Sequence, residues 1–270
     1  MPANFLSTPS LPPRVVFAGD RRIAVQVLDQ ITDDAEIVGL LLSSSDRATH
    51  AAELLEQCAH IDDQVVMRGT DFRQTDNINR LQTSRPDFLI SVHFPYLIPK
   101  SVLKIPRVAS LNLHPAYLPY NRGWHTPSWA LLDGTPYGAT LHVMTEALDA
   151  GPIVHREQLA VRPQDTAHLL YQRVADLESQ VFQKAWPRLC AGTATLVEPD
   201  DTGTEHAKHD LHHPEVQRID PDERVRAGDL LTQLRALTTN RLNEAAYVDH
   251  AGTHYRIQVD ITPDPDSSGG

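Results

Sequence analysis

The feature that most constrains this chain is a regular alternation of short apolar runs with segments of helical periodicity, beginning at residue 14. Residues 14–20 form an apolar, β-branched run that ends in Gly-Asp, and residues 21–31 follow with apolar side chains at helical spacing. The order then repeats, with strands predicted at 36–46, 64–67 and 86–94 and helices at 51–60 and 72–84. This alternation predicts an α/β fold: a Rossmann-like, mostly parallel open sheet with flanking helices.

The chain is predicted to have four parts. These are a flexible tail at 1–13, a catalytic domain at 14–200, a linker with a C-terminal helix–β-hairpin unit at 201–262, and a flexible tail at 263–270. The first tail carries four of the 20 prolines, and the linker is polar with Pro and Gly, which are turn and loop signals. This division predicts that the catalytic residues lie within 14–200.

The C-terminal unit is too small to bury its own apolar surface. Its helix and hairpin present apolar side chains at Leu230, Leu231, Leu234, Leu237, Tyr247, Val248, Tyr255 and Ile257. These residues predict packing either on the same chain or on a second subunit.

Charge and composition exclude several classes of partner. The formal net charge is −11, and Lys and Arg are scattered, so we expect no nucleic-acid partner. No stretch approaches the roughly 20 apolar residues of a membrane span, and the first residues lack the apolar core of a signal peptide. Two cysteines make no disulfide framework. We therefore expect a cytoplasmic protein with no membrane partner.

Three polar residues carry the predicted chemistry. In an extended LNLHP segment, Asn112 and His114 are two residues apart, so their side chains leave the strand on one face. An amide donor and an imidazole there could stabilise a developing oxyanion and transfer a proton near neutral pH. Asp149 follows a later strand and could orient His114. Taken separately, N-x-H in a strand is also ordinary polar sequence, and Asp before Ala-Gly is also an ordinary turn signal.

A group of histidines in the linker is the other feature that suggests a ligand. His206, His209, His212 and His213 are close enough to suggest a metal. There is no Cys nearby and the local sequence is polar, so we expect a solvated surface and no metal site.

Arg21 and several aromatic residues have two readings each. Arg21 follows the first strand, near a helix start where anions bind in such sheets, so it is either a phosphate contact or an exposed side chain. Trp124, Trp129 and Tyr137 either line a ligand pocket or fill the core. Gly19 alone is not a dinucleotide fingerprint, because the G-x-G-x-x-G pattern is absent.

The order of the motifs carries a resemblance that the separate motifs do not. SLNLHPAYLP, then GATLHVM, then LDAGPIV follow one another within residues 110–154. This segment resembles the N10-formyltetrahydrofolate-dependent formyltransferase family, whose pattern is N-x-H-P, L-P, G, a G-x-T-x-H strand and L-D-x-G. The resemblance covers roughly residues 14–190, including PDFLISVHFPYLIP just before the motif.

The resemblance assigns roles to individual positions. The family's catalytic Asn, His and Asp fall on Asn112, His114 and Asp149. The resemblance implies N10-formyltetrahydrofolate as co-substrate, without a metal. The implied cofactor-binding residues are Phe94, Pro95, Tyr96, Leu97, Thr145, Glu146, Ala147 and Leu148.

The acceptor side departs from the family pattern. Ala116 stands where the family often has Ser, and the residues from Tyr117 to Gly123 differ from the usual Leu-Leu-Pro-x-Tyr-Arg-Gly form. The substrate contacts that we predict are Arg21, Tyr120, Arg122 and Trp124.

Three branches of the family offer different amines. The methionyl-tRNA enzymes carry a larger C-terminal domain, and the glycinamide ribonucleotide enzymes lack such an appendage. The chain looks most like the sugar N-formyltransferases, which act on nucleotide-linked amino sugars and pair subunits through a small C-terminal helix–hairpin. We expect a homodimer and, as first substrate, a dTDP-linked 4-amino-4,6-dideoxyhexose. A catalytically inactive relative that only binds folate or nucleotide is the alternative of another class.

Overall fold

The computed structural model describes residues 4–200 and 202–264. Strands in these ranges are β1 (Asn4–Phe5), β2 (Arg14–Gly19), β3 (Glu36–Leu42), β4 (Val66–Arg68), β5 (Phe88–Val92), β6 (Ala109–His114), β7 (Arg122–Gly123), β8 (Tyr137–Val143), β9 (Ile153–Leu159), β10 (Thr195–Leu196), β11 (Glu205–His206), β12 (Ala246–His250) and β13 (Thr253–Ile257). Helices are α1 (Arg21–Asp29), α2 (Ala51–Gln57), α3 (Thr75–Thr83), α4 (Lys100–Leu103), α5 (Thr126–Leu132), α6 (Ala167–Cys190), α7 (Pro214–Gln217) and α8 (Ala227–Leu237). Among these residues, no helix combines the length and apolar character that a membrane crossing requires.

Seven strands form one sheet in the order β4-β3-β2-β5-β6-β8-β9. Pairing is parallel from β4 through β6, and β8 runs antiparallel to β6. The predicted Rossmann-like, mostly parallel open sheet is confirmed. The strand order reverses between β2 and β5, and ligands of such sheets bind beyond the carboxyl ends of the strands at this point.

The chain divides into two compact units. Unit 1 comprises the described residues within Met1–His114, Ala139–Glu157 and Asp176–Asp200. Unit 2 comprises those within Pro115–Gly138, Gln158–Ala175 and Asp201–Gly270. The sequence predicted a single boundary near residue 200. In the structure, Pro115–Gly138 and Gln158–Ala175, which precede that boundary, group with the C-terminal residues.

The turn from β2 into α1 is held by a buried carboxylate. Asp20 is the N-cap of α1, and its Oδ1 accepts hydrogen bonds from Arg21 N at 2.8 Å and Thr49 N at 3.0 Å. Burial raises the pKa of Asp20, but these bonds and those from the Thr49 and Ser43 hydroxyls outweigh burial, so the pKa lies below its usual value. Asp20 therefore stays ionised at the carboxyl edge of the sheet.

The core of unit 1 collects side chains from several strands and the helices beside them. Its members are Val16, Ala18, Val38, Leu41, Met67, Phe72, Leu81, Leu89 and Val102. The partly buried Phe94, Tyr96 and Met144 pack against the same cluster. This core therefore supports the loops that follow β5 and β8.

Unit 2 has a smaller core, in which α8 packs on α5. Its buried members are Trp129, Leu211, Leu237 and Ala246. The leucine stripe of α8 is divided by this arrangement. Leu237 is buried and Leu234 packs against the core, whereas Leu231 is 44% exposed.

The residues predicted as a flexible tail at 1–13 make long-range contacts in their described part. The backbone of β1 pairs with β10, and the Ser10 N–H and hydroxyl both donate to Asp87 Oδ2. Asp87 is 1% exposed, and a buried carboxylate needs such donors. Composition could not reveal this, because the tail is ordered by a polar contact with a residue far along the chain.

The predicted linker from 201 is also more ordered than expected. β11 pairs with β7, and the His206 ring stacks on Trp129 with centroids 3.9 Å apart. Leu211 is fully buried in the unit 2 core. A single Leu and a stacked His leave no periodic signal, so the polar composition was misleading here. Of the predicted tail at 263–270, residues 263 and 264 are exposed, and 265–270 lie outside the described residues.

Candidate active site

Asn112 and His114 occupy the carboxyl end of β6, in unit 1. Their alternate spacing places both side chains on one face, as predicted. β6 lies between β5 and β8, with Ser91 and His142 as the partners of Asn112. The parallel β5 ends beside them, and the loop after β5 therefore starts at the same edge of the sheet.

Asp149 reaches this face from the loop that joins β8 and β9. Its backbone is left-handed, with φ at +47°, which Asp tolerates better than most residues. The turn is tight: a Cβ on Gly151 would lie 1.9 Å from the Val143 carbonyl oxygen, so only Gly fits. The loop therefore returns close to β8 and carries Asp149 towards β6.

The three predicted catalytic residues come together. Asn112 Nδ2 donates to Asp149 Oδ1 at 3.3 Å, and His114 Nε2 lies 3.6 Å from Asp149 Oδ2. The His114 and Asp149 side chains are each 8% exposed. A carboxylate between an amide donor and an imidazole, largely shielded from water, suits stabilisation of an oxyanion and movement of a proton.

His142 is a fourth member of the cluster that the sequence reasoning missed as a site residue. Its Nε2 lies 3.3 Å from Asn112 Nδ2 and 3.4 Å from Asp149 Oδ1. Its Nδ1 lies 3.1 Å from the Val143 carbonyl oxygen. When Nδ1–H donates to that oxygen, Nε2 accepts from Asn112. The sequence held a signal for His142, which is the His of the G-x-T-x-H strand. Paired residues on neighbouring antiparallel strands project on the same face of the sheet, so His142 shares the face of Asn112.

The loop after β5 provides an apolar lip beside this cluster. Phe94 and Tyr96 rest on the unit 1 core with ring centroids 5.2 Å apart, while Pro95 and Leu97 are exposed. Tyr96 Oη donates to Ser44 Oγ at 3.0 Å and accepts from Ser44 N. The loop is thus anchored at Tyr96 and offers apolar surface at Leu97, where a cofactor contact was predicted.

The segment from Thr145 to Leu148 borders the same core cluster through the preceding Met144. Thr145, Glu146 and Ala147 are exposed and Leu148 is half-buried. Glu146 pairs with Lys100, just beyond the loop after β5. The structure therefore brings both predicted cofactor-binding loops to the edge that carries Asn112 and His114.

Arg21 is the first residue of α1, at the carboxyl end of β2. Its side chain is exposed, and its backbone φ is +68°. Asp20 N donates to the Val92 carbonyl oxygen at 3.2 Å, which ties this turn to the end of β5. Arg21 thus lies at the same edge of the sheet as the cluster, where a phosphate contact was predicted.

The other predicted substrate contacts belong to unit 2. Tyr120 closes a turn on the Tyr117 carbonyl oxygen. Arg122 Nη2 lies 3.5 Å from Glu205 Oε2. Trp124 is 38% exposed, with Lys208 Nζ 4.8 Å from its ring centroid. Of the aromatic residues with two readings, Trp129 and Tyr137 are buried and belong to the interior.

Comparison with known proteins gives two family matches. A model described as formyl transferase matches residues 14–186, and one described as N-formyltransferase dimerization C-terminal domain matches residues 213–263. A dTDP-4-amino-4,6-dideoxyglucose formyltransferase of Mycobacterium bovis is 31% identical over 180 residues, which are 67% of this chain and 75% of the relative. A methionyl-tRNA formyltransferase of Lachnospira eligens is 30% identical over 202 residues, 72% of this chain and 64% of the relative.

The fold has a close counterpart among solved structures. A 4-N formyltransferase from Francisella tularensis superposes with a TM-score of 0.80 at 24% sequence identity. The match covers 94% of this chain and all of that one. At this identity the likeness supports the fold, and the family is carried by the sequence matches.

Proposed function

The chain belongs to the formyl transferase family, and we propose that it moves the formyl group of N10-formyltetrahydrofolate to the amine of a nucleotide-linked amino sugar. The observation that carries this proposal is the convergence of Asn112, His114 and Asp149 at the carboxyl edge of the sheet, within 3.3–3.6 Å of one another through Asp149. The folate co-substrate fits the apolar lip beside them. When bound, it supplies the electrophilic formyl carbon.

We propose separate roles for the three side chains. Asn112 Nδ2 and protonated His114 donate to the formyl oxygen as it gains negative charge. Asp149 holds His114 and accepts a proton from the attacking amine, directly or through water. As the new bond from the amine to the formyl carbon forms, the bond from that carbon to N10 breaks, and the departing N10 takes up a proton. In the structure, Asn112 Nδ2 faces Asp149 and His142 at 3.3 Å, which is long for a hydrogen bond. A substrate oxygen can therefore replace one of these contacts at small cost.

The acceptor class is supported by the C-terminal residues and by charge. Residues 213–263 match the N-formyltransferase dimerization domain, whereas a tRNA acceptor would call for a basic surface. The net charge of −11 opposes tRNA. The similarity to a dTDP-4-amino-4,6-dideoxyglucose formyltransferase supports a dTDP-linked 4-amino-4,6-dideoxyhexose as first candidate. The similarity to a methionyl-tRNA enzyme keeps tRNA as the second candidate.

We also propose a homodimer formed through the C-terminal unit and a cytoplasmic location. The match to a dimerization domain supports the first, and two free cysteines are consistent with the second. The domain plan, with catalysis at 14–200 and assembly at 201–262, is supported by the ranges of the two family matches. Arg21, Tyr120, Arg122 and Trp124 stay proposed substrate contacts.

The experiment is direct formylation by the full chain. The protein is incubated with N10-formyltetrahydrofolate and a panel of dTDP-, GDP- and UDP-linked amino sugars, with methionyl-tRNA and glycinamide ribonucleotide included. We expect a mass gain of one formyl group on a sugar nucleotide. Formylation of tRNA alone would refute the sugar assignment, and no formylation of any amine would favour an inactive relative.

Variants then test the residue roles. Asn112→Ala and His114→Ala should each lower turnover by about 10²–10³, because each removes one oxyanion donor. Leu11→Ala, at an exposed residue of unit 1, is the control and should leave turnover unchanged. Near-normal formylation by Asn112→Ala and His114→Ala would show that the assignment is wrong.

A further inference from the structure

Three separate segments of unit 2 bring His125, His212 and Glu244 together. One ligand atom from each of the three lies within 4.8 Å of the other two. His125 precedes α5, His212 ends a short turn within the predicted linker, and Glu244 precedes β12. Residues from three separate parts of the sequence thus form one small cluster of nitrogen and oxygen donors.

The orientation of His125 leaves one ring nitrogen facing the cluster. Its Nε2 lies 3.2 Å from the Lys208 carbonyl oxygen, so Nε2–H donates there. Nδ1 then carries a lone pair and lies 3.7 Å from Glu244 Oε1. A ring N–H donated to a backbone carbonyl is the usual support of a histidine that binds a metal through its other nitrogen.

Glu244 is oriented in a matching way. It is 4% exposed, and its Oε2 accepts from Thr239 Oγ1 at 2.7 Å. Its Oε1 faces His125, with Arg241 Nη1 at 3.5 Å as a partial counter-charge. The Arg241 side chain is 56% exposed, so it can turn into solvent when a cation takes its place.

His212 supplies an accessible side of the cluster. It is exposed, and its ring lies 5.8 Å from that of His125 at nearly a right angle. An exposed ligand gives a cation a path in from solvent. Tetrahedral zinc with bonds of about 2.0–2.1 Å needs donors about 3.3 Å apart. The His125–Glu244 pair, at 3.7 Å, is already near this spacing, and the other donors, within 4.8 Å, must draw closer on binding.

We propose that His125, His212 and Glu244 bind a divalent metal ion of the zinc class, with water as a fourth ligand. Two imidazoles and one carboxylate form a donor set that zinc accepts, with one open position. The ion would tie the segment before the hairpin to the segment before α5. None of these three ligands is among the residues that we assign to formyl transfer, whose catalytic side chains belong to unit 1 and need no metal.

A second group of potential ligands is the natural competitor. His209, Asp210 and His213 also place ligand atoms within 4.8 Å of one another, but they lie on one short surface segment. Both histidines are exposed, and none of the three is buried. Local flexibility of such a segment makes it the weaker site, and it therefore provides the matched control.

The test uses full-length protein without a histidine tag, stripped with a chelator and titrated with Zn²⁺ alone by calorimetry. Co²⁺ absorption reports tetrahedral coordination. We expect one ion per chain and a rise in melting temperature on the order of 5 °C with excess Zn²⁺. His212→Ala, at an exposed position that should not impair folding, and Glu244→Gln should each weaken binding at least about tenfold.

The double variant His209→Ala, His213→Ala should retain the affinity and the melting shift. Absence of stoichiometric Zn²⁺ binding by the native sequence would overturn the proposal. Native-like binding by His212→Ala would also overturn it, as would a loss confined to the double variant, which would assign the ion to the exposed segment.

Discussion

At the scale of single residues, Asp149 connects the other three side chains of the candidate active site. Its two oxygens lie 3.3–3.6 Å from Asn112, His142 and His114. Two of these contacts share Oδ1, and the third uses Oδ2. A change at any one of the partners therefore alters the orientation of the others, and residue roles here are best separated by kinetics rather than by binding alone.

His142 should act as a positioning residue for Asn112. His142→Leu removes the acceptor 3.3 Å from Asn112 Nδ2, so we expect kcat to fall roughly tenfold to hundredfold through misplacement of the amide. KM for the folate should change little. His142→Gln keeps a polar partner and should recover part of kcat. Steady-state kinetics of the two variants, at matched melting temperature, check this; equal kcat in native and Leu proteins would contradict it.

The same residues show what a single sequence can and cannot predict about a site. That Asn112 and His114 share one face follows from their spacing on a strand, and their proposed role rests on the family resemblance that the order of the motifs carries. The position of Asp149 depends on a left-handed backbone and on the close approach of Gly151 to Val143, which no periodicity encodes. His142 required the register of β8 against β6.

At the scale of elements, Asp87 joins the N-terminal segment to the start of β5. Its Oδ2 accepts from Ser10 N at 3.1 Å and Arg14 N at 3.0 Å, and its Oδ1 accepts from Arg107 Nε at 3.0 Å. Burial raises the pKa of Asp87, but bonds from Ser10, Arg14 and Arg107 outweigh burial and hold the pKa below its usual value. The carboxylate thus adds side-chain hydrogen bonds to the backbone bond that Asp87 N donates to the Arg14 carbonyl oxygen at 2.7 Å.

Asp87→Asn should lower the free energy of unfolding at pH 7 by about 1–3 kcal/mol, because Ser10, Arg14 and Arg107 lose a charged, buried acceptor. Since the folded-state pKa is depressed, the contribution of Asp87 is present above the unfolded pKa of 3.8 and is lost as pH falls through the folded pKa. Urea unfolding from pH 7 downward should show the native and variant curves converging below about pH 4. Asp33→Asn, at an exposed site, should show no such change, and a pH-independent gap would contradict the prediction.

The elements themselves were predicted well where apolar periodicity is strong. β2, β3, β5 and α1 lie where the sequence pattern indicated them. The composition of the sequence was least informative for the segments that isolated contacts hold, namely residues 4–13 and the stretch after 201. These segments are held by the Asp87 carboxylate, the stacked His206 ring and the buried Leu211. Hydrophobic periodicity is judged over a stretch of many residues, so it does not detect single contacts of this kind.

At the scale of the whole molecule, unit 2 has apolar surface that its own core does not cover. Val225, Leu231, Leu242 and Tyr255 are 44–61% exposed. An open groove of about 330 Å³ lies nearby, lined in part by Leu132, Val216 and Leu230. All of these residues except Leu132 lie within residues 213–263, the range that matches the dimerization domain.

Leu231→Asp should shift the protein from dimer to monomer, since a charge on an apolar contact surface is costly to bury. Light scattering at micromolar concentration measures the mass. The matched control is Leu11→Asp in unit 1, where the native leucine is 83% exposed, and it should leave the mass unchanged. A monomeric native protein, or a Leu231→Asp protein with the native mass, would contradict the prediction.

The composition of unit 2 from three stretches of chain has a consequence for synthesis on the ribosome. α5 (Thr126–Leu132) emerges well before α8 (Ala227–Leu237), on which it packs. Until α8 arrives, Trp129 has no cover from Leu237, and such non-local contacts form slowly. Unit 2 should therefore close only after α8 has left the ribosome, and until then the nascent chain should expose an apolar site that chaperones recognise. A fragment beginning at residue 213 would lack α5 and Leu211, and with them part of the surface on which its helix packs.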